Sequence, residues 1–247
     1  MCQSFDVKGL LRDDLSLAER LRVYVIHYTR LAERRGHMEQ ELLRRGLDKL
    51  PHHWVLEHDR EAILPAYERG ELGNTADIAA SSVSLILKHL AVYREVVAEP
   101  QKLHLILEDD VRLQEGFLPA LEQVLLELPE QWDLFFLGLG CDLHVPWWHR
   151  RPGRRVYYRG YKKGFLWGGG GCSRCTEGYL IHPDFAHRLL ESDFAQPPFS
   201  CPIDWHLNAA GAVLKARSYW AQPPLLVQGV FESWRKNPLL NPAQQDL

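Results

Sequence analysis

No stretch of this 247-residue chain approaches the roughly 20 consecutive apolar residues that a membrane-spanning helix requires. The first 22 residues alternate acids, bases and leucines and lack the apolar core of a secretory signal, which makes the cytoplasm the expected location. An excess of one charge is missing too. A formal net charge of −3 and a pI near 6.5 argue against nucleic-acid binding driven by overall charge. Cysteine is scarce: five residues, an odd number, in a chain too long to need covalent staples. Cys172 and Cys175 have the two-residue spacing of half a zinc site, but no second such pair exists, and Cys141 with Cys201 would have to complete it. Reduced thiols are the expectation, with zinc or a disulfide as alternatives. There is no internal repeat and no linker that would split the chain.

What is present is 46% hydrophobic residues, enough for a core of useful size, organised around Leu103-His104-Leu105-Ile106-Leu107-Glu108-Asp109-Asp110-Val111. A short, largely aliphatic run followed by an amphipathic helical pattern is the signature of a buried strand in an open α/β sheet. Such a strand cannot carry three acids inside the core, because an unpaired buried carboxylate is too costly. The acids belong at its carboxyl end, where open α/β sheets place their ligand crevice. If the chain stays extended there, Glu108 and Asp110 point to one side and Asp109 to the other. Two converging acids call for something positive between them. Either a hard divalent cation sits there with a substrate phosphate, or the triplet is an acidic turn facing solvent.

Taken in order, Val23-Tyr24-Val25-Ile26 reads as the first strand and Leu31 to Gly46 as a helix stopped by its glycine. The loop between them, with His27, falls at the sheet's carboxyl edge, and Arg34 and Arg35 follow on the helix. Either they serve a phosphate or carboxylate, or they form a solvated face. Trp54 to Glu57 reads as a second strand, Pro65 to Gly73 as a turn-rich segment, and Asn74 or Thr75 as the cap of the next helix. That helix carries an apolar stripe of Val83, Ile86, Leu87, Leu90 and Val97, with His89 beside it. After the acids, Phe117 to Leu128 is a helix ending before Pro129, and Asp133 to Leu137 another buried strand. Strand, helix and strand in this span predict a crossover unit of a mainly parallel sheet.

From Val145 to Gly171 no period fits. Trp147, Trp148, Tyr157, Tyr158 and Tyr161 interleave with Arg150, Arg151, Arg154, Arg155, Arg159, Lys162 and Lys163. The expectation is a long loop or ragged hairpin, either an acceptor-binding lid or a basic surface loop anchored by its aromatics. Thr176 to Ile181 then reads as a strand, Asp184 to Leu190 as a short helix, and Pro202-Ile203-Asp204-Trp205 as the start of another. Residues 219–228 read as extended chain.

The order of these blocks resembles glycosyltransferase family 25, over about residues 22–233. The blocks are the first strand through Arg34-Arg35, then Leu85-Ile86-Leu87-Lys88-His89-Leu90, then Leu105 to Val111, then Trp132-Asp133 to Gly138. Cys175-Thr176-Glu177-Gly178-Tyr179-Leu180-Ile181, Pro202-Ile203-Asp204-Trp205 and Pro223-Pro224 to Gln228 complete the series. The resemblance implies an α/β, Rossmann-like nucleotide-sugar-binding domain of GT-A type with a mainly parallel sheet. It spans 22–236, between an N-terminal extension (1–21) and a tail (237–247). It further implies inverting transfer of a hexose, galactose favoured, from a UDP-sugar with Mn²⁺ (or Mg²⁺) bound by the acids. The acceptor would be a hydroxyl of a glycan, lipid-linked or protein substrate, with lipopolysaccharide biosynthesis as one setting. No nucleic-acid partner is expected, and peripheral membrane contact is compatible with the chain.

Carried onto this sequence, the resemblance makes Asp110 the direct metal ligand, with Glu108 beside it. Glu108 and Asp109 hold the ribose or a metal-bound water, and His89 and Arg35 lie on the donor side with His27. Two departures are His27-Tyr28 where the family has Asn-Leu, and Lys88-His89 where it has Ser-His. An inverting displacement also needs a base several ångströms from the metal carboxylates. Asp204 is the first expectation and Glu177 the second. Two rivals remain: a non-catalytic glycan- or protein-binding relative, and a metal-independent glycoside hydrolase working through carboxylates such as Asp110 and Asp204.

Overall fold

Aliphatic strands without polar alternation need cover on both faces, and the sheet shows how they obtain it. The computed structural model describes residues 17–140, 142–161 and 174–229. The strands and helices run β1 (Leu21–Ile26), α1 (Ala32–Arg45), β2 (His52–Val55), α2 (Arg60–Glu68), α3 (Ala80–Ala98), β3 (Leu103–Glu108) and β4 (Val111–Leu113). They continue with α4 (Phe117–Glu127), β5 (Leu134–Phe136), β6 (Val156–Arg159), β7 (Gly178–Ile181), α5 (Pro183–Leu190), α6 (Ile203–Val213), β8 (Ser218–Ala221) and β9 (Leu226–Gln228). Seven strands form one sheet in the order β2-β1-β3-β7-β5-β8-β6, and β4 and β9 pair separately. β2, β1, β3, β5 and β8 point the same way, while β7 and β6 run against them. The α/β class with a mainly parallel sheet, expected from the sequence, is what the structure shows.

Alternate residues of each central strand feed opposite layers. Val23, Val25, Leu105 and Leu107 pack with Met38 and Leu42 of α1 and with Leu121 and Leu125 of α4. Tyr24, Ile106, Phe136 and Tyr179 pack on the other face with Ile86 and Leu90 of α3, Phe185 and Leu189 of α5, and Leu207 of α6. α1 stops where expected: Gly46 takes φ +73° and its N–H caps the last turn.

Several expectations need correction. The second strand ends at Val55 rather than Glu57. The span from Pro65 to Gly73 is not all turn, because α2 runs through Pro65 to Glu68. α3 begins at Ala80, and Asn74 instead accepts the N–H of Ala76 in a turn before it. The basic aromatic stretch contains an edge strand, β6, paired antiparallel to β8. The crossover from β3 to β5 exists, but the two are not neighbours, since β7 lies between them. Cys175 and Cys201 are free thiols, while Cys2, Cys141, Cys172 and the span 162–173 lie outside the described residues. So do 1–16 and the tail from 230, and β1 starts at Leu21, two residues before the expected Val23.

Asp133, 2% exposed, ties three elements together at the sheet's other end. Its carboxylate accepts from Arg188 Nη2 at 2.6 Å and from Arg217 N and Nε at 2.7 and 3.1 Å, and its carbonyl accepts from His182 N at 2.9 Å. Replacing Asp133 by Ala strands two arginines and a backbone donor. Because both arginines are partly solvated, the expected loss is about 2–3 kcal/mol, below the range for a fully buried pair. Urea unfolding checks this, and a loss within error of zero would mean that solvent replaces the carboxylate freely.

Candidate functional site

The chain turns immediately after β3. Asp109 and Asp110 form the turn into β4, which β9 holds in register, Val111 opposite Gln228. The extended alternation expected for the triplet therefore fails at this turn, and the three acids separate differently. Asp109 and Asp110 share one cation: Arg34 Nη1 lies 2.9 Å from Asp109 Oδ1 and 3.0 Å from Asp110 Oδ2. The second oxygen of Asp109 meets His27 Nδ1 at 2.7 Å. Glu108 reaches toward β7 instead, with Oε1 accepting from Thr176 Oγ1 at 2.7 Å, and stays close enough to Asp110 for the two charges to interact.

The reversed direction of β7 completes the cluster. Because β7 runs antiparallel, its leading residues meet the carboxyl end of β3, and Glu108 N donates to the carbonyl of Glu177 at 3.0 Å. Glu177 Oε1 accepts from Gly140 N at 2.6 Å, and glycine at 138 is what leaves room for it. A Cβ there would fall 2.2 Å from the same oxygen. Asp204, in the first turn of α6, accepts from both N and Oγ1 of Thr176, at 2.7 and 2.9 Å. Thr176 thus sits between Glu108 and Asp204. One hydroxyl proton can be given to only one of these carboxylates, so the second contact is a hydrogen bond only when Glu108 or Asp204 carries a proton that the hydroxyl accepts.

The structure brings His27, Glu108, Asp109, Asp110, Glu177 and Asp204 to one edge. His89 lies beneath them, fully buried: Nδ1 bonds the Tyr179 hydroxyl at 2.8 Å, which bonds Tyr93 at 2.6 Å, and Nε2 stands 3.9 Å from Glu108 Oε1. Arg35 is committed elsewhere, its Nε on Glu39 at 2.7 Å and its guanidinium 3.5 Å over the Trp54 ring. Of the two arginines offered by the sequence as partners of phosphate or carboxylate, Arg34 takes the position beside the acids. Thr176 was missed; the only signal for it is its place in the block leading into β7. Beside the acids a cleft of about 220 Å³ opens between the end of β1, α1 and α3, walled by Tyr28, Arg34, Arg60, Ser81, Ser84 and Lys88. Lys88 is tied to the wall, with Nζ 2.8 Å from Asp59 Oδ1 and from the Glu57 carbonyl.

Charge is poorly compensated at this edge. Burial, then the negative charges of Asp110, Asp204 and Glu177, push Glu108 well above the usual carboxylate range. Burial pushes Asp110 up to about 6 against the pull of Arg34, and Glu177 up to about 7 against the N–H of Gly140. Asp204 is raised by burial, with Thr176 opposing. Burial holds His89 down at about 3, hence neutral. Three buried polar atoms around Glu108 have no hydrogen-bond partner among the described residues: His89 Nε2, Asp110 Oδ1 and Glu177 Oε2. Orphans of this kind are uncommon and call for an explanation, an absent ion or ligand among them.

Whether these groups suit the divalent ion implied by the resemblance turns on the donor set. Among the described residues no three His, Cys, Asp or Glu side chains are grouped to enclose a metal ion. Asp110 Oδ1, an orphaned hard oxygen, with Glu108 nearby, instead fits a cation that takes one or two carboxylates and fills its shell from water and substrate phosphate.

Glu177 makes the strain measurable. A carboxyl whose folded pKa lies above its unfolded value stabilises the fold in acid and loses that contribution as pH rises through the folded value. Between about 4.5 and 7, therefore, stability falls with rising pH on account of this group. Glu177→Gln keeps an acceptor for Gly140 N and removes the titration. At pH 8 it is expected to be more stable than the parent by about 1–3 kcal/mol, with the advantage gone below pH 4.5. Thermal denaturation across that range checks this, and parallel curves for the two proteins refute it.

No protein-family model matches the chain. A 128-residue stretch, 47% of the chain, is 30% identical to the probable inactive glycosyltransferase 25 family member 3 of Rattus norvegicus and to the inactive glycosyltransferase 25 family member 3 of Mus musculus. The chain spans 22% and 21% of the length of those relatives. Among solved structures, mouse xyloside xylosyltransferase 1 in its apo form aligns with 94% of this chain and 79% of its own, at 13% identity and a TM-score of 0.37. Over the aligned stretch, the chain is a distant relative of glycosyltransferase 25 family members.

Proposed function

We propose that this is a glycosyltransferase domain that binds a nucleotide sugar in the cleft beside β3 and transfers its hexose, galactose favoured, to an acceptor hydroxyl. The observation that carries the reading is the set of three buried polar atoms around Glu108 without a partner among the described residues, amid five carboxyl groups of which only Asp109 and Asp110 are paired with an arginine. Asp110 and Glu108 would hold Mn²⁺ or Mg²⁺. When bound, such an ion offsets the negative charge that builds on the departing diphosphate. Arg34 and Arg60, on the cleft wall, are suited to the phosphates, and Ser81 and Ser84 offer hydroxyls to the nucleoside.

Asp204 is the more accessible of the two candidate bases. It is half-buried, whereas Glu177 is 2% exposed. With Thr176 fixing one carboxylate oxygen, the other is free to take the proton of an incoming hydroxyl.

A second reading is favoured by two observations: Arg34 already bridges Asp109 and Asp110, and the similar proteins carry the word inactive in their names. Under it, the domain retains ligand binding and has lost turnover.

A melting-temperature panel of UDP-sugars with and without Mn²⁺ separates these cases, because a ligand that binds only the folded state raises the midpoint. The transfer reading expects a shift that needs both ligands and disappears in Asp110→Ala. It also expects Asp204→Asn to keep the shift while turnover falls about 10²–10⁴-fold. A donor-dependent shift with no transfer to any acceptor supports the second reading. The absence of a shift with every UDP-sugar overturns both.

A further inference from the structure

We propose that the turn bearing Trp147 and Trp148, with Arg150, Arg151, Arg154 and Arg155 beside it, docks this protein onto the surface of an anionic lipid bilayer. Residues 143–161 contain five arginines and no acid, in a chain whose net charge is −3. Arg159 is buried and the other four are exposed. Among the described residues, Arg155 alone of those four pairs with an acid, Glu127 at 3.5 Å. Arg150 spends its Nε on the Val145 carbonyl at 2.7 Å, and Arg154 its Nε on the Val156 carbonyl at 2.9 Å while lying 5.1 Å over the Tyr157 ring, so neither meets an acid among the described residues.

The aromatic half of the patch is as unusual. Trp147 is 77% and Trp148 61% exposed, in a single 3₁₀ turn, Trp147–His149, entered through Pro146. Their rings stand 5.7 Å apart and nearly perpendicular, at 85°. The turn is held from behind. Val145 is fully buried and its N–H donates to Gln222 Oε1 at 3.2 Å, while Arg174 Nε donates to the Leu143 carbonyl at 2.9 Å. Two indoles are therefore presented outward on an anchored base, and neither lines the cleft beside the acids.

Charge alone would suit any polyanion. The protruding indoles decide the partner: standing nearly perpendicular, they form no flat platform for the sugars or bases of a soluble polyanion, whereas the headgroup boundary of a bilayer receives rings in any orientation and leaves their N–H groups in water. Arginines close to the same plane are attracted by anionic headgroups over about a Debye length. The patch needs neither nucleotide nor metal, so its test is separate from that of transfer.

The experiment sediments the full chain with vesicles of phosphatidylcholine, with or without phosphatidylglycerol, and with heparin as a soluble competitor. Binding is expected to the anionic vesicles, to weaken with salt, and to be accompanied by tryptophan quenching from brominated lipid. Trp147→Ser/Trp148→Ser should remove the quenching, and Arg151→Gln/Arg154→Gln should weaken binding about tenfold or more, with circular dichroism of both unchanged. Should the serine pair fail to fold, Trp147→Ser alone carries the quenching test. Absence of binding by the parent overturns the proposal. So does full retention of binding and quenching in the variants, or a preference for heparin that the tryptophan changes leave intact.

Discussion

Carboxylates at the carboxyl end of β3 lose solvent without gaining enough positive charge in return, and much else in the molecule answers to that deficit. An ionised carboxylate in such surroundings is destabilising unless it is paired, bonded or protonated. Each acid meets this differently. Asp109 takes the full remedy, with His27 on one oxygen and Arg34 on the other. Asp110 takes half of it, sharing Arg34 and leaving Oδ1 bare. Glu108, Glu177 and Asp204 rely on neutral donors, Thr176 and the N–H of Gly140, and accept raised pKa values. Stability alone would favour amides or aliphatics at these places. That a fold should carry the deficit is understandable where a cationic ligand relieves it.

The direction of one strand concentrates the acids. With β7 parallel to its neighbours, Thr176 and Glu177 would have fallen at the opposite edge of the sheet, near Asp133. Because β7 runs backwards between β3 and β5, its entrance lies where those strands end. The same reversal puts Tyr179 next to Ile106 and Phe136 on one face, and its hydroxyl then steadies His89 beneath Glu108. The buried chain from Tyr93 through Tyr179 to His89 thus couples the packing of α3 against the sheet to the orientation of the site. The short apolar run Gly178–Ile181 is readable as a strand, but nothing in four residues specifies which way it runs.

That distinction explains what was and was not legible beforehand. Aliphatic runs that stop at acids are a long-range statement about burial, and β3 with its triplet stood out for that reason. Arg34 against Arg35 is a different matter. Neighbouring residues on a helix diverge by about 100°, and with Leu31 and Met38 as the only nearby apolar markers the inward arginine was not determined. α2 was hidden by Pro65, a residue that forfeits one helical bond without ending the helix. β6 was hidden by the arginines around it, since an edge strand needs cover on fewer sides and tolerates charge. His89 was read as either a core-edge residue or part of a site. It is both, fully buried yet 3.9 Å from a site carboxylate.

The ion pair of Arg34 with Asp109 and Asp110 bears on both readings of the function. An arginine that simply cancelled these acids would leave nothing for a cation to do, and the cluster would be a structural relic. Its reach argues otherwise. Arg34 Nη1 contacts one oxygen of each aspartate, and Asp110 Oδ1 remains bare and buried. The carboxyl of Asp110 still sits at about 6 despite the pairing. One guanidinium spread over two carboxylates thus leaves that pair incompletely neutralised, beside Glu108 and Asp204, whose raised pKa values show how poorly further negative charge is tolerated there. The guanidinium also lines the cleft, where phosphate oxygens would compete for its remaining N–H groups. An arginine so placed can pair with the aspartates and also offer N–H groups to a phosphate in the cleft. Asp110 and Glu108 are the residues that would hold a divalent ion there. On this argument the Arg34 ion pair is compatible with an active enzyme, and only measured transfer distinguishes that enzyme from a relative that has kept the pair and lost the reaction.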